Sequence, residues 1–229
     1  MTGWLIEAIG LASAYLLGSI PFGLLFARLK GVDIRKVGSG NIGATNVFRS
    51  VSKPLGIATF VCDLLKGFVP AMVFPWLAAR APNQPAFSEF GLLCGCAAIA
   101  GHNWPVFLQF KGGKGIATSA GVLLGVAPAA VGVGFLAWVV LLLVTRYVSV
   151  ASIGAAVVVP SSAWILYLNK GWILPTVLTL LGALAIWRHK GNIQRLIRGT
   201  EPRFAFRGRR SEVRGQKSEV KGEKSDSGR

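Results

Sequence analysis

The chain has 229 residues, of which 52% are hydrophobic and only 15% charged, with a mean hydropathy of +0.55. A soluble domain carries roughly a quarter charged residues, and here the apolar residues come in long runs, so the pattern excludes a soluble enzyme and predicts an all-α polytopic membrane protein. The formal net charge is +16, but 13 of the 25 Lys and Arg lie from Arg188 onward and six between Arg28 and Lys53; charge beside spanning segments reads as a topology signal and an attraction to anionic lipid, which argues against nucleic acid as a partner.

In chain order, the first span is expected over Trp4–Ala27, its inner half broken by Gly18-Ser19-Ile20-Pro21-Phe22-Gly23. With no positive n-region and with Glu7 inside it, this stretch reads as a retained span and not a cleaved signal peptide. A glycine-rich polar stretch follows, Gly38-Ser39-Gly40-Asn41-Ile42-Gly43-Ala44-Thr45-Asn46-Val47-Phe48-Arg49. Glycine lets backbone N–H groups approach a ligand closely, and such groups together with Arg make a cradle for phosphate oxygens.

The second span, Leu55–Ala79, contains Asp63 and Lys66. Three residues apart, they pair on one helix face; Lys66 either only fixes packing or shares the anion of the nearby loop. A Pro-containing linker leads to a third span, Phe87–Phe107, which ends in Gly101-His102-Asn103-Trp104-Pro105, and then to Lys111-Gly112-Gly113-Lys114-Gly115. Cys62, Cys94 and Cys96 lie within apolar runs and read as reduced packing residues.

Residues 116–145 form a 30-residue apolar stretch interrupted by Pro128. As one helix it would be about 45 Å long, against a hydrocarbon core of about 30 Å. Splitting it at Pro128 gives seven spans with the N-terminus outside, and puts the polar loops, Arg146 and the basic C-terminus together on the cytoplasmic side, in keeping with the positive-inside tendency. Spans at Val150–Leu168 and Trp172–Trp187 complete the seven. The expected organisation is a membrane domain over 1–207 and a basic cytoplasmic tail over 208–229, whose two seven-residue repeats hold almost no apolar residue and should be disordered.

This topology gathers four loops on one face. They supply Gly38, Ser39, Gly40, Asn41, Thr45, Asn46, Arg49, His102, Lys111, Gly112, Gly113, Lys114, Ser149, Ser152, His189, Asn192 and Arg195. Carboxylates are almost absent, so no metal site is expected and the inventory suits a multiply charged anion bound without metal or other cofactor. Each motif has a plainer reading: interface lysines at 111 and 114, a packing histidine at 102, a basic stop after the last span at Arg188 and His189. The Lys114 stretch is no nucleotide-binding P-loop, since no Gly stands five residues before Gly113 and Gly115 follows the Lys. No serine or cysteine sits in a nucleophile setting.

At these loops the chain resembles the bacterial PlsY family, the acyl-phosphate-dependent glycerol-3-phosphate acyltransferases. The likeness is carried by residues 18–23, 38–49 and 63–67, by Gly101-His102, and by 110–115, 146–149 and 189–192, and spans about residues 3–200. It implies a seven-helix enzyme of the bacterial inner membrane with its site at the cytoplasmic surface. Such an enzyme moves a fatty acyl group from acyl phosphate to the 1-hydroxyl of glycerol 3-phosphate, giving lysophosphatidate and phosphate, the first acylation of phospholipid synthesis. By motif position, Ser39, Arg49, one lysine of the second glycine loop, His189 and Asn192 are implied as site residues. The residues read here as catalytic are Ser39, His102, Lys114, His189 and Asn192, and the rest of the set, Arg195 apart, as phosphate-binding. Expected partners are the two substrates, membrane lipid and the enzyme that makes acyl phosphate. The competing readings are a membrane carrier for an organic phosphate, which lacks a visible inverted repeat, and a purely structural membrane protein, which leaves the glycine loops unexplained.

Overall fold

The structure is a computed structural model and describes residues 3–80 and 87–204. The tail expected over 208–229 lies outside the described residues. Ten α-helices and three 3₁₀ turns make up the described chain, with no strand among them. Helix α1 (Gly3–Ser19) stops where Ile20-Pro21 enters, because proline lacks an N–H and disfavours helix at the residue before it, and α2 (Phe22–Arg28) then resumes. Beyond the first glycine loop come α3 (Ala44–Ser50), α4 (Lys53–Ala78) and α5 (Phe87–Asn103). The second glycine loop leads into α6 (Ile116–Val126), followed by α7 (Pro128–Thr145), α8 (Val148–Leu166), α9 (Ile173–Arg188) and the short α10 (Lys190–Ile197).

Among the described residues five stretches are long and apolar enough to cross a membrane: 4–28, 53–78, 90–108, 128–145 and 148–166. Helices α6 and α9 are apolar but shorter, at 11 and 16 residues. The 30-residue run does divide at Pro128: Ala127 leaves the helical region at φ −147°, ψ 57° and α7 starts anew at the proline. Prolines 70, 75 and 160 sit inside α4 and α8, as spanning helices tolerate.

Helix α4 is the hub, packed against α1, α2, α3, α5 and α6, while α7, α8 and α9 follow as a serial layer. Its contact with α6 depends on small residues. A Cβ on Gly67 would strike the Thr118 carbonyl, and one on Gly121 would strike the Leu64 carbonyl, so the two backbones meet directly. In a bilayer, where burial of apolar surface against lipid gains nothing, close backbone packing of this kind is what joins helices. It also brings the N-terminus of α6 beside the loops that precede α4.

Candidate active site

The first glycine loop is organised by Asn46, which sits in α3 and is buried. Its Nδ2 donates to the carbonyls of Ile34 (3.3 Å), Val37 (3.1 Å) and Asn41 (2.9 Å), and its Oδ1 accepts from Ser39 N (3.1 Å) and Ser50 Oγ (3.2 Å). Gly38 has φ +58°, and a Cβ there would meet Asn46 Oδ1, so both its conformation and its space require glycine. The amide of Asn46, expected as a phosphate ligand, thus folds the loop, and the residue also lines the cavity described below. Ser39 and Arg49, by contrast, make no side-chain hydrogen bond or ion pair among the described residues, and both face the cavity described below.

Beneath the second glycine loop lies a buried group of Asp63, Lys66 and His102. Lys66 Nζ is 2.9 Å from Asp63 Oδ1 and donates to the Ile20 carbonyl at 2.8 Å. Asp63 Oδ1 is 3.7 Å from His102 Nδ1. His102 O accepts from Gly113 N at 3.1 Å, and a Cβ on Gly113 would meet His102 Nε2. Lys66 thus takes the packing role of its two readings: it pairs with Asp63, donates to the Ile20 carbonyl at the break between α1 and α2, and stays off the cavity wall. Carboxylates, almost absent from the four loops, reach the cavity from outside them, as Asp63 of α4 and Glu201 both line it.

A third group joins Lys114 to the last described residues. Asn192 Oδ1 accepts from Lys114 Nζ, and Asn192 Nδ2 donates to Glu201 Oε1 at 2.6 Å. Glu201 Oε2 accepts from Arg195 Nε at 2.7 Å. A carboxylate can only accept, so Glu201 fixes which way the Asn192 amide points and turns its oxygen to the ammonium. Burial is the main force on Lys114 and lowers it to about 8; the Glu201 charge opposes this, and Arg195, Arg188 and Arg49 add to it. Burial also works against the Glu201 carboxylate, but hydrogen bonds from Asn192 and Arg195 outweigh it and hold the group below its ordinary range. Burial, helped by the Lys114 charge, takes His189 down to about 4, so the imidazole is neutral at physiological pH. Its Nδ1 lies 2.8 Å from the Ala185 carbonyl, which only accepts; Nδ1 therefore carries the proton and Nε2 is left as an acceptor.

These groups meet in one cavity of about 470 Å³. Its polar wall holds Ser39, Asn41, Thr45, Asn46, Arg49, His102, Lys114, Ser149, Ser152, His189, Asn192 and Arg195. Gly115, Ile116 and Ala117 put the N-terminus of α6 on the same wall, where unsatisfied N–H groups and the helix dipole favour an anion. The opposite wall is apolar: Ile57 and Phe60 of α4, with Phe135, Trp138 and Leu142 of α7. Ile57, Phe60 and Phe135 are exposed on the surface of the helix bundle, so the cavity runs from charge to open apolar surface.

Not every predicted residue belongs to this wall. Lys111, Gly40 and Gly112 line a separate cavity of about 430 Å³ with Arg35, Asn41 and Arg188, while Gly38 and Gly113 line neither. Ser152 Oγ accepts from Trp138 Nε1 at 3.3 Å, which ties it to the apolar wall. The residues sequence reasoning missed are Asp63 as a cavity residue, Glu201, and the apolar side chains of α4 and α7. An Asp within a spanning helix was the available signal for the first; nothing local marks Glu201, which acts through a chain that turns back after Gly199 (φ +69°). Among the described residues no group of three His, Cys, Asp or Glu could hold a metal ion.

Residues 8–199 match the family model described as glycerol-3-phosphate acyltransferase. A curated glycerol-3-phosphate acyltransferase of Aquifex aeolicus is 44% identical over 199 residues, covering 83% of this chain and 95% of the relative. One from Hyphomonas neptunium is 45% identical over 206 residues, covering 89% and 95%. Among solved structures, PlsY (YgiH), an integral membrane glycerol 3-phosphate acyltransferase, in its glycerol 3-phosphate form superposes with a TM-score of 0.76 at 41% identity, over 87% of this chain and 96% of that one. Its lysophosphatidic acid form gives a TM-score of 0.72 at the same identity. With its fold and most of its length matched in this way, the chain belongs to the glycerol-3-phosphate acyltransferase family.

Proposed function

We propose that this protein transfers a fatty acyl group from acyl phosphate to the 1-hydroxyl of glycerol 3-phosphate, releasing lysophosphatidate and inorganic phosphate. The observation that carries the reading is the single cavity in which Arg49, Lys114 and the start of α6 face the apolar side chains of α4 and α7. An acyl phosphate has the same two ends, and a neighbouring structure holds the amphiphile lysophosphatidic acid. The hydroxyl oxygen attacks the acyl carbonyl carbon, the carbon–oxygen bond to phosphate breaks, and phosphate leaves with that electron pair. Because the donor is a mixed anhydride with a good leaving group, positioning and charge neutralisation are the main demands on the protein.

In this scheme Arg49 supplies a fork for one phosphate and Lys114 a point charge. Ser39 Oγ and the α6 N–H groups complete the shell, and neutral His189 accepts from the 2-hydroxyl of glycerol 3-phosphate through Nε2, which orients the 1-hydroxyl for attack. The hydroxyl proton passes to His102 or to a phosphate oxygen of a substrate, and His102→Gln separates these two. Helices α6 and α9 serve as the short fourth and seventh crossings, with the N-terminus outside and the site facing the cytoplasm of a bacterial inner membrane. That side is where glycerol 3-phosphate and an acyl-phosphate-producing enzyme would be met.

The test uses purified protein in detergent or lipid, supplied with glycerol 3-phosphate and palmitoyl phosphate and no metal or coenzyme A. Phosphate release that needs both substrates and is lost in Arg49→Ala supports the reading. No release from folded protein overturns it and turns attention to uptake of labelled glycerol 3-phosphate into liposomes.

A further inference from the structure

Arg188, the last residue of α9, makes its side-chain hydrogen bonds to backbone carbonyls. Its Nε donates to the Gly113 carbonyl at 3.1 Å. Its Nη2 reaches the carbonyls of Gly113 (2.6 Å), Gly112 (3.1 Å) and Asn103 (3.2 Å). The guanidinium carbon also lies 5.7 Å from the Trp104 ring centroid. Asn103 ends α5, where helix carbonyls have no partner within the helix, and a terminal cation is favoured there by the dipole as well. One cation from α9 therefore closes the end of α5 and binds two consecutive carbonyls of the second glycine loop.

The consequence reaches the cavity. In a trans peptide the C=O and the following N–H point opposite ways. With the Gly113 carbonyl held by Arg188, the Lys114 N–H is turned away from Arg188, and the chain enters α6 two residues later. Gly113 N is tied down from the other side by His102 O at 3.1 Å. The glycine loop is thus clamped between α5 and α9 directly before the residue whose ammonium lines the cavity.

We infer that Arg188 is a positioning residue whose guanidinium clasps the carbonyls of Asn103, Gly112 and Gly113 and so holds Lys114 and the start of α6 toward the anionic ligand. The part concerning the ligand rests on the anion-binding reading of the cavity; the clasp itself does not. The competing role is direct: Arg188 also borders the second cavity with Arg35 and Lys111, where it would act as an anion ligand. Lysine tells the two apart, because a single ammonium keeps the charge but cannot span three carbonyls in a plane.

The experiment compares wild type, Arg188→Lys and Arg188→Gln by steady-state kinetics and by amide hydrogen exchange of the full chain in detergent. The clasp predicts that both variants lose about tenfold or more in kcat/KM for glycerol 3-phosphate, mostly through KM. It also predicts that exchange over residues 110–118 rises about tenfold while α7 and α8 are unchanged. Near wild-type activity and unchanged exchange in Arg188→Lys, with activity lost only in Arg188→Gln, would overturn the clasp in favour of direct anion binding. If wild type shows no acyl transfer, the proposed function fails, yet the exchange comparison still decides the clasp. Should Arg188→Lys not fold, Arg188→Ala prepared with methylguanidinium takes its place: protection of 110–118 restored by the added guanidinium supports the clasp, and its absence overturns it.

Discussion

Replacing Glu201 by Gln tests the least obvious part of the site. The carboxylate accepts from Asn192 and Arg195 at 2.6 and 2.7 Å, and its charge is what opposes the burial-driven lowering of Lys114 to about 8. Gln keeps the shape but loses the charge, so Lys114 falls further. If it falls by about one unit, a differential interaction of about 1.4 kcal/mol, the protonated fraction at pH 8 drops from about a half to about a tenth. At pH 6 it changes only from about 99% to about 91%. The ratio of wild-type to variant kcat/KM for glycerol 3-phosphate should therefore grow from near one at pH 6 to about fivefold at pH 8. The sign follows from the direction of the shift: Lys114 holds its charge below its lowered value and loses it, with its hold on the anion, as pH rises through that value. Titration of the substrate phosphate affects both proteins alike and cancels in the ratio. The assay is phosphate release in detergent across pH 6–9. A ratio that stays constant with pH would show that Glu201 acts only on folding and would refute the electrostatic link through Asn192.

Three further predictions follow from individual contacts. Arg49→Lys should raise KM for glycerol 3-phosphate about tenfold, since a point charge replaces a fork, and unchanged kinetics would remove Arg49 from the site. His102→Gln should abolish turnover while leaving glycerol 3-phosphate affinity, measured by calorimetry, within about twofold if His102 takes the proton; retained turnover assigns that step to a phosphate oxygen. Lys66→Met leaves the Asp63 carboxylate buried without its cation and should cost about 3–5 kcal/mol, read as a lowered unfolding temperature in detergent; an unchanged midpoint would contradict the pairing.

Much of this was legible in the sequence because membrane helices and glycine loops have strong local signatures. The break at Pro128 follows from proline chemistry and helix length, and the gathering of loops 38–49, 102–115 and 188–195 followed from topology and positive charge. The loop-folding role of Asn46 was not legible because an amide in a glycine loop looks the same whether it binds a ligand or folds the loop, and only its five contacts reveal the second role. Lys111 and Lys114 are three residues apart in one motif; their separation into two cavities is set by the left-handed turn at Gln109 and Phe110 and by the clamp at Gly113, neither of which spacing reveals. Glu201 was illegible because its partners at 192 and 195 are reached only after the chain reverses. The apolar wall was hidden for a different reason: in a chain this hydrophobic, Phe60 and Phe135 look like any lipid-facing residues.

An acyl-phosphate donor would yield its two products, lysophosphatidate and phosphate, together. The most direct measurement offers glycerol 3-phosphate with palmitoyl phosphate, palmitoyl-CoA or palmitoyl-acyl carrier protein in parallel, and quantifies lysophosphatidate by mass spectrometry against inorganic phosphate. The expected result is 1-palmitoyl-glycerol 3-phosphate and phosphate in equal amounts from palmitoyl phosphate alone. Comparable product from either thioester, or phosphate released without lysophosphatidate, would contradict it.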